Sequence, residues 1–118
     1  NVSSALEGLK SIDQSKSLKV ICGGRSKNQD LKDFTNFLNH RATNIFYFGE
    51  SIKNFKKLLD KSKAQPVNNL DEAVDSAFKV LKKNTVMILS PACSSLDMFE
   101  SFEERGKKFK DLVLNVKH

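Results

Sequence analysis

At 118 residues the chain is read as one domain, long enough to bury about two thirds of its unfolded surface without disulfide staples. A hydrophobic content of 39% and a charged content of 29% are those of an ordinary globular protein; no apolar run nears the ~20 residues of a membrane span, and the N-terminus lacks the basic segment and apolar core of a signal peptide. The net charge of +6 admits nucleic acid or another polyanion as partner. Against that, Lys53, Lys56, Lys57, Lys61 and Lys63, then Lys79, Lys82 and Lys83, fall on the polar sides of predicted helices, where solvated charge ordinarily sits. One tyrosine, no tryptophan and nine phenylalanines at core-like spacings leave little material for base stacking. Cys22 and Cys93 form no CxxC pair, so two free thiols in a reducing cytoplasm are expected.

The chain opens on a helix, with Ser4 and Glu7 as a capping box and Val2, Ala5, Leu6, Leu9 and Ile12 on one apolar face. A sheet protein that begins this way is expected to be cut from something longer. After the polar turn 13–16, residues 18–22 (LKVIC) read as the first strand, and Gly23-Gly24 supply a sharp exit into a loop that carries Lys27. Asp30 is placed to cap a second helix with Leu31, Phe34, Phe37 and Leu38 at helical spacing and His40-Arg41 near its carboxyl end. Residues 44–49 (NIFYFG) return as a strand. Ser51 then begins a basic amphipathic helix with Ile52, Phe55, Leu58 and Leu59 inward.

Residues 64–67 contain Pro66 and predict an edge or near-edge strand. Asn69 with Glu72 caps a helix burying Leu70, Ala73, Val74, Ala77, Phe78 and Leu81. Residues 84–89 (NTVMIL) form a nearly continuous apolar run that fits a strand buried on both faces. Pro91 ends that ladder, and Ser94 with Asp97 opens a last helix burying Phe99, Phe102, Phe109, Leu112, Val113 and Val116, with Gly106 in its middle. The alternation predicts an α/β fold: a three-layer, mostly parallel, Rossmann-like sheet with helices on both faces. Ligands of such sheets bind outside the carboxyl ends of the strands, which assigns 23–27 and 90–95 to one edge of the molecule.

Taken by themselves, the residues on that edge specify little chemistry. GxxxxGK[ST] and GxGxxG are both absent, so nucleotide binding by this chain alone is not expected, and Lys27 reads as a solvated loop lysine. Ser95 reads as a helix-start residue satisfying its own backbone. Cys93 has no His–acid partner set, since His40 ends a helix and His118 is the last residue, and neither cysteines nor histidines show metal-ligand spacing. No catalytic residue and no metal site are expected in the chain.

Ser90-Pro91-Ala92-Cys93-Ser94-Ser95-Leu96-Asp97-Met98-Phe99, followed by Phe102-Glu103, Arg105-Gly106 and Phe109, resembles the SPACAS-x-DxF-xxFExRGxxF signature that closes the D-glutamate-adding ligases of the Mur family. The resemblance extends upstream to Gly23-Gly24-Arg25-Ser26-Lys27 and so spans most of the chain. It implies the C-terminal domain of a bacterial, cytoplasmic, ATP- and Mg2+-dependent ligase that adds D-glutamate to UDP-N-acetylmuramoyl-L-alanine in peptidoglycan synthesis, with the cell-shape and cell-division roles that follow. It further implies that Lys27 contacts one carboxylate of D-glutamate, that Ser95 and the backbone around Phe102 hold the other, and that Leu96 lines the pocket. A lysine at one end of a short diacid, with a hydroxyl and amide donors at the other, fixes both ends and leaves the amine exposed.

Two departures accompany the resemblance. Arg25 stands where the family often has an acidic residue, and the chain opens at Asn1, which matches the last residue of the family's DSKATN segment. The aspartate and threonine of that segment, the central ATPase domain and the N-terminal UDP-binding domain are the expected remainder of the same polypeptide, and the isolated chain is expected to be inactive. The rival expectation is a free-standing basic α/β module binding nucleic acid or another polyanion.

Overall fold

A computed structural model describes residues 2–23 and 30–89. The elements in chain order are α1 (Val2–Lys10), β1 (Ser17–Gly23), α2 (Lys32–Arg41), β2 (Asn44–Phe48), α3 (Ile52–Leu58), β3 (Ala64–Pro66), α4 (Leu70–Lys79) and β4 (Thr85–Leu89). The four strands pair in parallel in the order β3-β2-β1-β4, so the fold is the expected α/β type with a parallel sheet.

Strand alternation sorts the core into two layers. Leu18, Val20 and Cys22 of β1, with Ile45 and Tyr47 of β2, face a cluster completed by Leu9 of α1, Phe34 and Leu38 of α2, and Phe55 and Leu59 at α3. Ile21 of β1, with Phe46 and Phe48 of β2, faces the opposite cluster, built on Leu70, Ala73, Val74 and Ala77 of α4 and on Val67. Helices α1, α2 and α3 therefore lie on one face and α4 on the other. Phe34 and Phe55, the largest fully buried side chains, are both in the first layer. Tyr47 packs its ring on Phe55 at 6.0 Å between centroids, and burial raises the pKa of its hydroxyl above the usual tyrosine value.

Polar ties join the elements at the surface. The Arg41 guanidinium donates to the carbonyls of Asp13 and Lys16, pinning the turn after α1 against the end of α2. Asn39 donates to the Leu58 carbonyl and accepts from the Asp60 amide, linking α2 to the end of α3. Two Asx turns repeat at strand entries, Asp13 accepting from Ser15 and Asp60 from Ser62, and both carboxyls are held below the usual range by those bonds.

Several expected boundaries shift. Helix α1 starts at Val2, ahead of the Ser4 taken as its cap. Asp30 does accept a backbone bond from Lys32, but as an Asx turn; the cap position is Leu31, which offers no side-chain bond. Ser51 occupies the cap position of α3 without making a side-chain cap. Leu58, expected inward, is 36% exposed, because Ile52, Phe55 and Leu59 already fill the narrow core-facing stripe of this seven-residue helix. Leu81 is 39% exposed because α4 ends at Lys79 and its periodicity stops there.

Asn69 is the N-cap as expected, accepting from the Glu72 amide at 2.9 Å, while the Glu72 carboxylate takes the Asn68 side-chain amide. Asn84 belongs to the turn and not to the strand, with φ 57° in the left-handed region that asparagine tolerates. Pro66 lies on β3, an outer strand of the described sheet, where its missing N–H is harmless.

Candidate functional site

The carboxyl edge of the sheet is where the expected ligand residues converge in sequence, and the topology gives it a specific form. From β1 the chain steps outward to β2 and then β3, and from β3 it returns across the sheet to β4 on the other side of β1. The strand order reverses between β1 and β4, which makes their carboxyl ends the switch point at which open α/β sheets form a crevice. Ile21 is paired with Leu89, the last residue of β4, and β1 continues two residues further to Gly23. The chain thus leaves two hydrogen-bonded neighbours on the same edge, about 4.8 Å apart.

Gly23 is expected to form the exit turn together with Gly24, which lies outside the described residues; within the strand Gly23 has a steric role. It is the last residue of β1 and pairs with Phe48 in register. A Cβ placed on Gly23 would meet the Phe48 ring at 2.7 Å. The aromatic ring, itself 3% exposed, therefore occupies the volume above the glycine and closes the second core layer beneath the carboxyl edge. Among the described residues, the turn that needs a glycine for its backbone is the exit of β2, where Gly49 has φ 93°.

Ser51 stands just beyond that exit. It is 3% exposed, and its Oγ has no hydrogen-bond partner among the described residues. Periodicity marks it only as a helix start; the available signal is a serine immediately after a Gly-Glu turn on the carboxyl edge.

Of the residues to which the family resemblance gives a role, Lys27, Ser95, Leu96 and Phe102 lie outside the described residues, as do Arg25, Cys93 and the signature helix with Gly106. What the described residues supply is their base: β1 ends four residues before Lys27, and β4 ends six residues before Ser95. Cys22, the other cysteine, is wholly buried within the first core layer. Among the described residues no group of three or more His, Cys, Asp or Glu is placed to hold a metal ion, and no helix is long and apolar enough to cross a membrane.

Of the lysines expected on the basic helix, Lys61 and Lys63 lie beyond it, because α3 ends at Leu58. Lys53, Lys56 and Lys57 are exposed on α3. Lys63 is half-buried and donates to the Asn39 carbonyl, so it serves as a tie between α2 and the β3 entry.

Comparison with known proteins covers nearly the whole chain. No family model matches it. Proteins named "UDP-N-acetylmuramoylalanine--D-glutamate ligase" do: that of Alkaliphilus oremlandii is 36% identical over 99% of this chain, and that of Natranaerobius thermophilus 36% identical over 98%. The Aquifex aeolicus protein of the same name is 38% identical over 82% of the chain. The chain spans about a quarter of the length of these relatives, 26%, 25% and 24% respectively. Matched nearly end to end at this identity, the chain belongs to the family of proteins so named, of whose length it represents about one quarter.

Proposed function

We propose that this chain is the C-terminal domain of an ATP-dependent ligase that joins D-glutamate to UDP-N-acetylmuramoyl-L-alanine in peptidoglycan synthesis, and that it contributes part of the D-glutamate site. The observation that carries this reading is the adjacency of β1 and β4 at the switch point. Tethers of four and six residues leave neighbouring strand ends on one edge, and chain segments of that length reach at most about 14 and 21 Å. Both are ample for the Lys27 ammonium and the Ser95 hydroxyl to address the two carboxylates of one five-carbon diacid.

In this reading Lys27 takes one carboxylate by a charge-assisted hydrogen bond, and Ser95 with the backbone near Phe102 takes the other. Leu96 supplies an apolar wall. Holding both acid groups orients the amine toward the bond it forms, which is a positioning contribution and not acid–base chemistry. ATP and Mg2+ belong to the remainder of the polypeptide, together with the uridine-nucleotide site. The domain closes on the ATPase domain to complete the constellation, and alone it is inactive. Cytoplasmic placement follows from that substrate chemistry.

The test uses the full-length ligase. Lys27→Ala is expected to raise the KM for D-glutamate or lower kcat by at least about tenfold, the worth of one hydrogen bond to a charged group, while the KM for ATP stays within about twofold. Unchanged D-glutamate kinetics would remove Lys27 from the site. On the 118-residue chain, an amide chemical-shift titration with D-glutamate is expected to perturb Gly23 and Leu89 beside the two tethers; no perturbation there at high ligand concentration counts against the edge assignment.

A further inference from the structure

Lys19 is the third residue of β1 and is 3% exposed, an unusual burial for a lysine. By strand alternation it shares the face of Ile21, toward α4, but lies at the amino edge of the sheet, opposite to the edge described above. Its Nζ donates to Asn44 Oδ1 and, at 3.5 Å, to Thr43 Oγ1. Both acceptors are neutral, and an ammonium has three donors, so one N–H is left without an acceptor among the described residues. Burial, reinforced by the nearby Lys82, holds the Lys19 pKa below the usual lysine value.

A cleft of about 450 Å³ opens beside this ammonium, within the size range of small-molecule sites. Lys79 and Lys82 line it with Lys19, and Thr43, Asn44 and Thr85 add polar atoms; among the described residues no carboxylate lines it. Lys79 is paired with Asp75 at 3.0 Å, which leaves Lys19 and Lys82 as cations with no acidic partner among the described residues. The carboxyl end of α4 reaches the same cleft and brings roughly half a negative charge. Two ammonium groups outweigh it, so the cleft is net positive and partly desolvated.

We propose that this amino-edge cleft is a binding site for a small oxyanion, phosphate or carboxylate, with Lys19 as the buried contact and Lys82 as the contact at its mouth. A desolvated cation with a vacant donor supplies a stronger charge-assisted bond than a surface lysine. The polar neighbours hold the ammonium in place before the ligand arrives, so little side-chain entropy is lost on binding. The site is independent of the D-glutamate reading, since it uses other residues on the other edge.

The 118-residue chain is titrated with inorganic phosphate and, separately, with acetate, at constant ionic strength set by sodium chloride, and followed by amide chemical shifts. Saturable shifts are expected at Lys19, Thr43, Asn44 and Thr85, with Gly23 and Phe48 unmoved. Saturation by phosphate alone, acetate alone or both identifies the group recognised and supports the site in each case. Lys19→Met is expected to weaken binding about tenfold or more and Lys82→Gln about threefold. Should Lys19→Met not fold, Lys19→Gln provides the same comparison with the polar volume kept. Shifts that grow linearly without saturation, or that persist unchanged in the Lys19 variant, overturn the proposal.

Discussion

The two edges of the sheet are built on opposite principles. At the carboxyl edge β1 ends in Gly23 beneath the Phe48 ring, so the floor under the crevice is apolar and close-packed. At the amino edge the same strand, on the same face, carries Lys19 beneath a polar cleft with no acid among its described lining residues. Four residues of one strand thus separate a steric solution from an electrostatic one. The described residues of the first edge are optimised for packing. The second keeps a charge that packing alone would discard, because a buried ion without a counter-ion costs several kcal/mol.

The contrast is broken most directly at Gly23. Gly23→Ala is expected to destabilise the chain by about 2 kcal/mol in urea denaturation, since the new methyl group must displace a buried ring. Phe48→Leu in the same chain is expected to recover part of that loss, and a double-mutant cycle showing no coupling would remove the ring from the explanation.

At the other edge the sign reverses. Lys19→Met is expected to stabilise the chain by about 1–3 kcal/mol at pH 7, as replacement of uncompensated buried charge by an apolar side chain often does. Because the folded-state pKa of Lys19 lies below its unfolded value near 10.5, the unfolded chain binds more protons in the window between them. Wild-type stability from this group therefore rises with pH, and the advantage of the variant shrinks as pH approaches 10.5. A stabilising effect independent of pH would mean that packing and not charge is responsible.

Helix α4 joins the edges, its amino end at the carboxyl edge and its last turn at the amino edge. Asn69→Ala removes its cap and is expected to cost about 1 kcal/mol. A comparable change of opposite sign, a gain of about 1 kcal/mol, is expected for Ser51→Ala, which removes a buried hydroxyl that has no partner among the described residues. The smallest effect belongs to Asp60→Asn at the entry of β3. The Asp60 carboxyl titrates below its ordinary value of 3.8, so its stabilising contribution is present above that pH and fades as the solution is acidified through the folded pKa. The Asp60→Asn melting temperature should accordingly approach that of the wild type only in acid.

Much of the fold was legible because each element carries its own period. Alternation in 18–22 and 44–49 separates two core layers, and Asn69 declares the start of α4 three residues ahead of Glu72. Leu58 and Leu81 misled because the apolar character of a residue does not reveal where a short helix stops; the helix ends are decided by the partners available to their last carbonyls. Lys19 was invisible for a related reason. A lysine inside LKVIC looks like a solvated interruption, and only the placement of Asn44 and Lys82 from distant parts of the chain shows what surrounds it.

By itself, then, the amino-acid sequence determined the alternation of strands and helices in the described residues and the family of ligases to which the chain belongs. These are properties of local spacing and of residue identity along the chain. Only the tertiary structure decided that β4 lies beside β1 and not beyond β3, that Gly23 yields its volume to Phe48, and that Lys19 is enclosed without a counter-charge among the described residues. Those outcomes depend on which residues, twenty or more positions apart, are brought within a few ångströms, and no local period encodes that.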